Sequence, residues 1–185
     1  MIKDVIADAD HRMGNSVDVV QKEMAAVRTG RASLAILDGI MVDYYGTPTP
    51  LNQVANLAIP EANLITVQAW ETFLLPLIEK AILSSDLDLN PANDGKILRI
   101  PIPSLTEERR KVLVKHVGKL TEEGRTAVRQ VRRDANDHLK KMLKDKEISE
   151  DDEKRALKSV QELTDEHIKQ IDELLKKKEQ ELMTV

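Results

Sequence analysis

Apolar residues return every three or four positions at both ends of this chain, and alternate or cluster in its middle. In residues 1–29, Ile2, Ile6, Ala9, Met13, Val17, Val20, Met24 and Val27 share one stripe, which predicts a helix stopped at Thr29-Gly30. Residues 106–146 predict a second long helix, with Thr106 as cap and Glu107 and Glu108 at the positive end of its dipole. Its stripe is Leu113, Val117, Leu120, Gly124, Val128, Val131, Ala135, Leu139 and Met142. Ser149 opens a third helix, striped by Leu157, Val160, Thr164, Ile168, Ile171 and Leu175. All three patterns repeat with a period near 3.5, which favours long helices packed at shallow angles.

Residues 30–105 read differently, and hold all seven prolines and both tyrosines. Ile40, Val42 and Tyr44 alternate as a strand does, and Gly46-Thr47-Pro48-Thr49-Pro50 reads as a turn. The stretch 64–70 is rich in β-formers, and 73–84 suits a short helix with Pro76 in its first turn. Asn90-Pro91 and Asp94-Gly95 mark turns, and 96–102 closes a sheet whose proline-bearing end belongs at an edge. A long helix is marginal alone in water, so the first needs the other two as partners. The expected fold is α+β: a three-helix bundle from 1–29 and 106–185, interrupted by a small inserted β/α/β domain at 30–105. Two connections, near Thr29-Gly30 and Pro103-Ser104-Leu105, join the domains, which permits a hinge.

Composition narrows what such a protein does. Apolar residues make up 41%, enough for a core, but aromatics only 2%, namely Tyr44, Tyr45, Trp70 and Phe73. That argues against a single-strand RNA reader built on stacking platforms. The absence of cysteine excludes disulfides and thiolate metal sites. No apolar run nears the roughly 18–20 residues of a membrane span, and the start of the chain lacks a signal-peptide pattern. The expectation is a soluble, cytoplasmic protein with no membrane partner.

Charge changes the picture more. The chain carries a formal −4, yet residues 106–146 hold 13 Lys and Arg against 7 Asp and Glu, while 147–185 hold 7 against 12. At 100° per residue, Arg125, Arg129, Arg132 and Arg133 lie about 80–180° from Gly124, on one face beside the apolar seam. Arginine's planar fork grips phosphate bidentately, so this face suits a nucleic-acid backbone. The same spacing also fits a solvated face with ion pairs such as Glu122–Arg125 and Arg133–Asp137, each worth about 0.3–0.5 kcal/mol. Arg28 and Arg31, beside Gly30, form a second basic spot that fits domain packing as well as ligand contact.

Catalytic chemistry has no residues behind it. His11, His116, His138 and His167 are spread over three helices, and two ligands such as Asp134 and His138 do not make a metal site. The acidic run at 150–153 lacks the glycine and alternation of a calcium loop, and helix N-terminal charge accounts for it. No glycine-rich phosphate loop or nucleophile elbow occurs. Tyr44 and Tyr45 read as packing residues of the small sheet, with a docking role for Tyr45 as the minor reading. No cofactor, metal or catalytic residue is expected.

Five segments in register resemble the bacterial ribosome recycling factor family. They are Arg28-Thr-Gly-Arg-Ala-Ser33, Tyr44-Tyr-Gly-Thr-Pro-Thr-Pro-Leu51, Leu105-Thr-Glu-Glu-Arg-Arg110, Val131-Arg-Arg-Asp-Ala-Asn136 and Asp145-Lys-Glu-Ile-Ser-Glu-Asp-Asp152. The resemblance spans the whole chain. It implies an elongated three-helix bundle and an inserted domain in an L-like arrangement, acting as a monomer. It also implies a translation factor that binds the large ribosomal subunit after termination. With elongation factor G and GTP, such a factor disassembles the post-termination complex, the inserted domain swinging about the hinge. By position, Arg132 matches the family's main RNA-contacting arginine, with Arg129 and Arg133 beside it. Arg28, Arg31 and Arg110 match further basic positions of the family motifs, and Arg125 a position that is often arginine. Gly14, Gly118 and Gly124 depart from good helix sequence, each costing about 0.5–1 kcal/mol relative to alanine. The competing class is an acidic helical protein-interaction module, whose third helix would dock a basic partner without RNA.

Overall fold

The computed structural model describes residues 1–184. The chain divides into two compact units, Met1–Thr29 with Glu107–Val185, and Gly30–Thr106.

The first unit is three helices: α1 (Ile2–Ala26), α3 (Glu107–Lys144) and α4 (Glu150–Met183). A shorter helix, α2 (Leu74–Leu83), belongs to the other unit. α1 ends at Ala26, three residues before the expected stop, because Val27 is already extended (φ −76°, ψ 115°). The seam is centred slightly differently from the expected stripes. Val5 is buried where Ile2 and Ile6 are only partly covered, and on α4 Ala156 and His167 are buried while Leu157 and Ile168 are partly covered. α3 packs against both partners in antiparallel fashion, with Gly124 opposite Val20 and Ile171, Arg125 bound to Asp172, and Asp134 opposite Arg12. The helices approach closely at Gly124, where a Cβ would lie 2.3 Å from Val20 Cγ2 and 3.4 Å from Ile171 Cδ1. Glycine there lets three helices converge, which offsets its poor helix propensity. Gly118, by contrast, faces open space.

Between α3 and α4 the chain turns through Lys146, in the left-handed region at φ 60°. The Glu147 N–H donates to Met142 C=O at 2.9 Å and the Lys146 N–H to Leu143 C=O at 3.0 Å. These bonds close the end of α3 as a Schellman motif. α4 then opens with a capping box. Ser149 Oγ accepts the Asp152 N–H at 3.1 Å, and Asp152 Oδ2 accepts the Ser149 N–H at 3.4 Å. The acidic run sits in that first turn, as the dipole requires.

The second unit holds a β-hairpin and a four-stranded antiparallel sheet. The hairpin pairs β1 (Met41–Tyr44) with β2 (Thr47–Pro50), and the sheet joins β3 (Ala55–Glu61), β4 (Leu64–Ala69), β5 (Ala92–Asn93) and β6 (Leu98–Pro101) in the order β3-β4-β6-β5. The expected turn at 46–50 is therefore corrected. The turn is Tyr45-Gly46, with φ 51° and 81°, and Thr47–Pro50 is a strand. Pro48 and Pro50 stand two apart on a strand that pairs on one side only, so neither missing N–H costs a ladder bond. The proline-bearing end of β6 does lie at an edge, as expected. The two-residue β5 covers Leu98 and Arg99, and only the Pro101 end of β6 runs past it. Ile65 and Val67 on β4 face Ile100 and Leu98 on β6, and α2 covers them with Leu74, Leu75, Ile78 and Ile82.

Entry to and exit from this unit are tied together. Gly30 has φ +72°, and a Cβ on it would lie 3.0 Å from Leu105 Cγ and 3.1 Å from Leu105 N. Both the backbone conformation and the close approach demand glycine. The Ala32 N–H donates to Ala62 C=O at 2.7 Å and the Ile102 N–H to Asn63 C=O at 2.7 Å. The two connecting segments thus hang from one turn, between β3 and β4.

Candidate nucleic-acid interface

α3 presents its arginines as a consequence of its seam. Because Val128, Val131 and Ala135 are buried, positions 80–180° away must emerge, at about 1.5 Å of rise per residue. The structure shows that the four arginines differ in what they touch.

Arg125 is the most engaged. Its Nε and Nη2 donate to Asp172 Oδ1 on α4 at 2.9 and 2.5 Å, and its Nη1 to Glu122 Oε2 at 2.8 Å. Its side chain is 23% exposed. The Asp172 carboxylate first, then Glu122, hold its guanidinium pKa above the ordinary value. Arg129 meets a single carboxylate, Glu122 Oε1, at 3.3 Å. Glu122 is thereby shared, and the guanidinium of Arg125 above all keeps its carboxyl below the usual range.

Arg132 and Arg133 stand apart from these carboxylates. Arg132 Nη1 donates to the neutral Gln161 Oε1 at 3.4 Å, and Gln161 Nε2 in turn donates to Asp165 Oδ1 at 2.8 Å, which turns the amide oxygen toward the arginine. Among the described residues Arg133 is exposed and has no hydrogen-bond or ion-pair partner. The spacing that suggested Arg133–Asp137 does not produce that pair. Arg28 is also exposed and unpaired among the described residues, whereas Arg31 and Arg110 are each engaged.

On the other flank of α3, Arg12 of α1 donates to Asp134 Oδ2 at 2.6 Å, and this bond first, then Gln130, lowers the Asp134 pKa. Asp134 of the Val131-Arg-Arg-Asp segment therefore ties helices together. The described residues include no group of three or more His, Cys, Asp or Glu placed to hold a metal ion. His11, His116 and His138 are exposed, while His167 is buried against α1, with Nδ1 2.8 Å from Leu163 C=O and Nε2 3.4 Å from Asp10. No helix of the described residues is long and apolar enough to cross a membrane.

The partners from other helices, Asp172, Gln161 and Arg12, were not foreseen. Intrahelical spacing finds Glu122–Arg125 but is blind to a carboxylate on α4. The usable signal was that Asp172 follows Ile171 on the α4 stripe, which puts it at the rim of the shared seam.

A family model described as ribosome recycling factor matches residues 20–183. The chain is 52% identical to the ribosome-recycling factor of Syntrophomonas wolfei subsp. wolfei over 185 residues, which covers 100% of both chains. Among solved structures, the solution structure of a ribosome recycling factor is 42% identical, covering 100% of this chain and 98% of that one with a TM-score of 0.81. A T. thermophilus ribosome recycling factor, described with E. coli elongation factor G as bound to the E. coli post-termination complex, is 47% identical. It covers 100% of both chains with a TM-score of 0.65.

Proposed function

The chain belongs to the ribosome recycling factor family, and from that premise we propose how its own residues do the family's work. It binds the large ribosomal subunit after termination and, with elongation factor G and GTP, disassembles the post-termination complex, in the cytoplasm and without catalysis of its own. The helical unit anchors it to ribosomal RNA through the arginine face of α3, reading backbone and shape more than sequence. Arg132 and Arg133 make the leading phosphate contacts and Arg129 joins them, while Arg28 and Arg110 of the helical unit and, separately, Arg31 of the inserted unit are further RNA-contacting candidates. Arg125 contributes least directly, since its guanidinium is already spent. The hinge comprises Thr29, Gly30, Pro103, Ser104 and Leu105, and lets the inserted unit move while the helices stay bound. The passage of both connections beside each other at Gly30 and Leu105 suits a pivot.

One observation carries the anchoring half of this reading. In a chain of formal charge −4, adjacent guanidinia at 132 and 133 meet no carboxylate among the described residues. The test is Arg132→Ala, assayed by co-sedimentation with large subunits and by subunit splitting with elongation factor G and GTP. The variant should keep its far-UV circular dichroism, bind weakly and fail to split. Normal splitting by Arg132→Ala would overturn the reading.

A further inference from the structure

Glu122 is shared between two guanidinia of the arginine face. Both carboxylate oxygens are used, Oε2 on Arg125 Nη1 at 2.8 Å and Oε1 on Arg129 Nη1 at 3.3 Å. A carboxylate and a phosphodiester present the same chemistry to a guanidinium: two anionic oxygens that accept from its fork. The glutamate stays accessible, its side chain 57% exposed and that of Arg129 41% exposed. An exposed pair of this kind is only weakly favourable, so an incoming phosphate can displace it.

We infer that Glu122 is an internal competitor of RNA phosphate, which caps the affinity of the arginine face so that the bound protein can be released. The inference rests on the anchoring role proposed above. At Arg132 and Arg133 a phosphate gains a partner that had no carboxylate. At Arg129 it exchanges one anion for another, and the net gain shrinks. A factor that must leave its site in every round benefits from a face that is only partly available. The opposite role for the same geometry would be positioning, with Glu122 holding Arg125 and Arg129 ready for RNA. The two roles predict opposite signs.

The experiment compares wild type, Glu122→Gln and Glu123→Gln by equilibrium binding to isolated large subunits over a range of salt concentrations. Glu123, exposed and paired with Lys119 at 3.9 Å, controls for the simple loss of one negative charge. Glu122→Gln should bind roughly two- to fivefold tighter than wild type, the factor an exposed pair carries. Its log K against log salt plot should steepen by about one unit, since a further guanidinium becomes available to phosphate. Glu123→Gln should change binding less, and the advantage of Glu122→Gln should fall to that level when Arg129 is alanine. Unchanged or weaker binding by Glu122→Gln, or a gain that survives Arg129→Ala, overturns the inference. Arg132→Ala and Arg133→Ala run in parallel. If these two bind as wild type, the anchoring role itself fails; if they weaken while Glu122→Gln does not tighten, only the role of Glu122 falls.

Discussion

Two stretches of one helix face carry the same residue type in opposite states. Around Gly124, where α1, α3 and α4 converge, Arg125 and Arg129 share Glu122, and Arg125 is also bound by Asp172. Two turns further on, Arg132 touches only an amide oxygen and Arg133 has no partner among the described residues. The difference comes from what the neighbouring helix places opposite each arginine. Where α4 offers Asp172 the cation is neutralised; where it offers Gln161 the charge stays available. A count of cations along a helix therefore measures supply, and the facing helix decides how many remain for a ligand.

The largest effect expected from this contrast is on binding. A hydrogen bond to a charged group is worth roughly 1.5–3 kcal/mol, so replacing both Arg132 and Arg133 by alanine should weaken large-subunit binding by tenfold or more for each guanidinium lost. Arg125→Ala should alter affinity less than about threefold, since its ion pairs stay within the protein, and should instead cost about 1 kcal/mol of stability, readable as a lower melting temperature. If Arg125→Ala impaired binding as severely as Arg133→Ala, the division of the face into a spent and an available stretch would break down.

Next come the glycines, which test why the spent stretch is so tightly packed. Gly124→Ala would drive a Cβ into Val20, a β-branched side chain with little rotamer freedom in a helix. Overpacking costs about 1–3 kcal/mol, against the 0.5–1 kcal/mol that alanine returns in helix propensity, so the variant should be destabilised. Gly118→Ala meets nothing within 4 Å and should raise stability by about 0.5–1 kcal/mol. Chemical denaturation of the two variants would show opposite signs. Equal signs would mean that close helix approach at Gly124 is not what its position requires.

The helical part of this arrangement was legible in the sequence because a long stripe averages over many positions. Central seam residues such as Met13, Val128 and Ile171 were predicted and are buried. The pattern misleads where a single local feature has to decide. Pro48 and Pro50 signalled a turn, but on a one-sided strand the missing N–H is harmless, and the real signal was Tyr45-Gly46 with both residues in the left-handed region. β3 carries no strand pattern in the sequence because it is interrupted. Its register shifts between Ala58 and Glu61, around Ile59 and Pro60, so the alternation of a strand is lost. Gly124 looked like a flaw in a helix until Val20 and Ile171 supplied its reason. At the candidate interface, the positions of the arginines followed from 100° per residue, but their availability depended on Asp172 and Gln161, which lie 47 and 29 residues away in sequence.

The smallest effect is local and separates the two stretches by titration. Glu122 has its pKa lowered, with Arg125 the first cause and Arg129 a lesser one. A carboxyl whose folded-state pKa is depressed stabilises the fold above its unfolded value, and that contribution disappears as pH falls through the folded value. Acid should therefore release Arg125 and Arg129 from Glu122 in a window below the ordinary glutamate range, while Arg132, with no carboxylate partner, is indifferent. Side-chain carboxyl NMR would follow Glu122 directly. In wild type its midpoint should lie below the ordinary glutamate value. In Arg125→Ala it should rise most of the way back, and in Arg129→Ala less far, following the 2.8 and 3.3 Å contacts. In Arg132→Ala it should not move. A midpoint that shifted equally in all three variants would report only the general field of the helix, and would remove the distinction between arginines that are bound and arginines that are free.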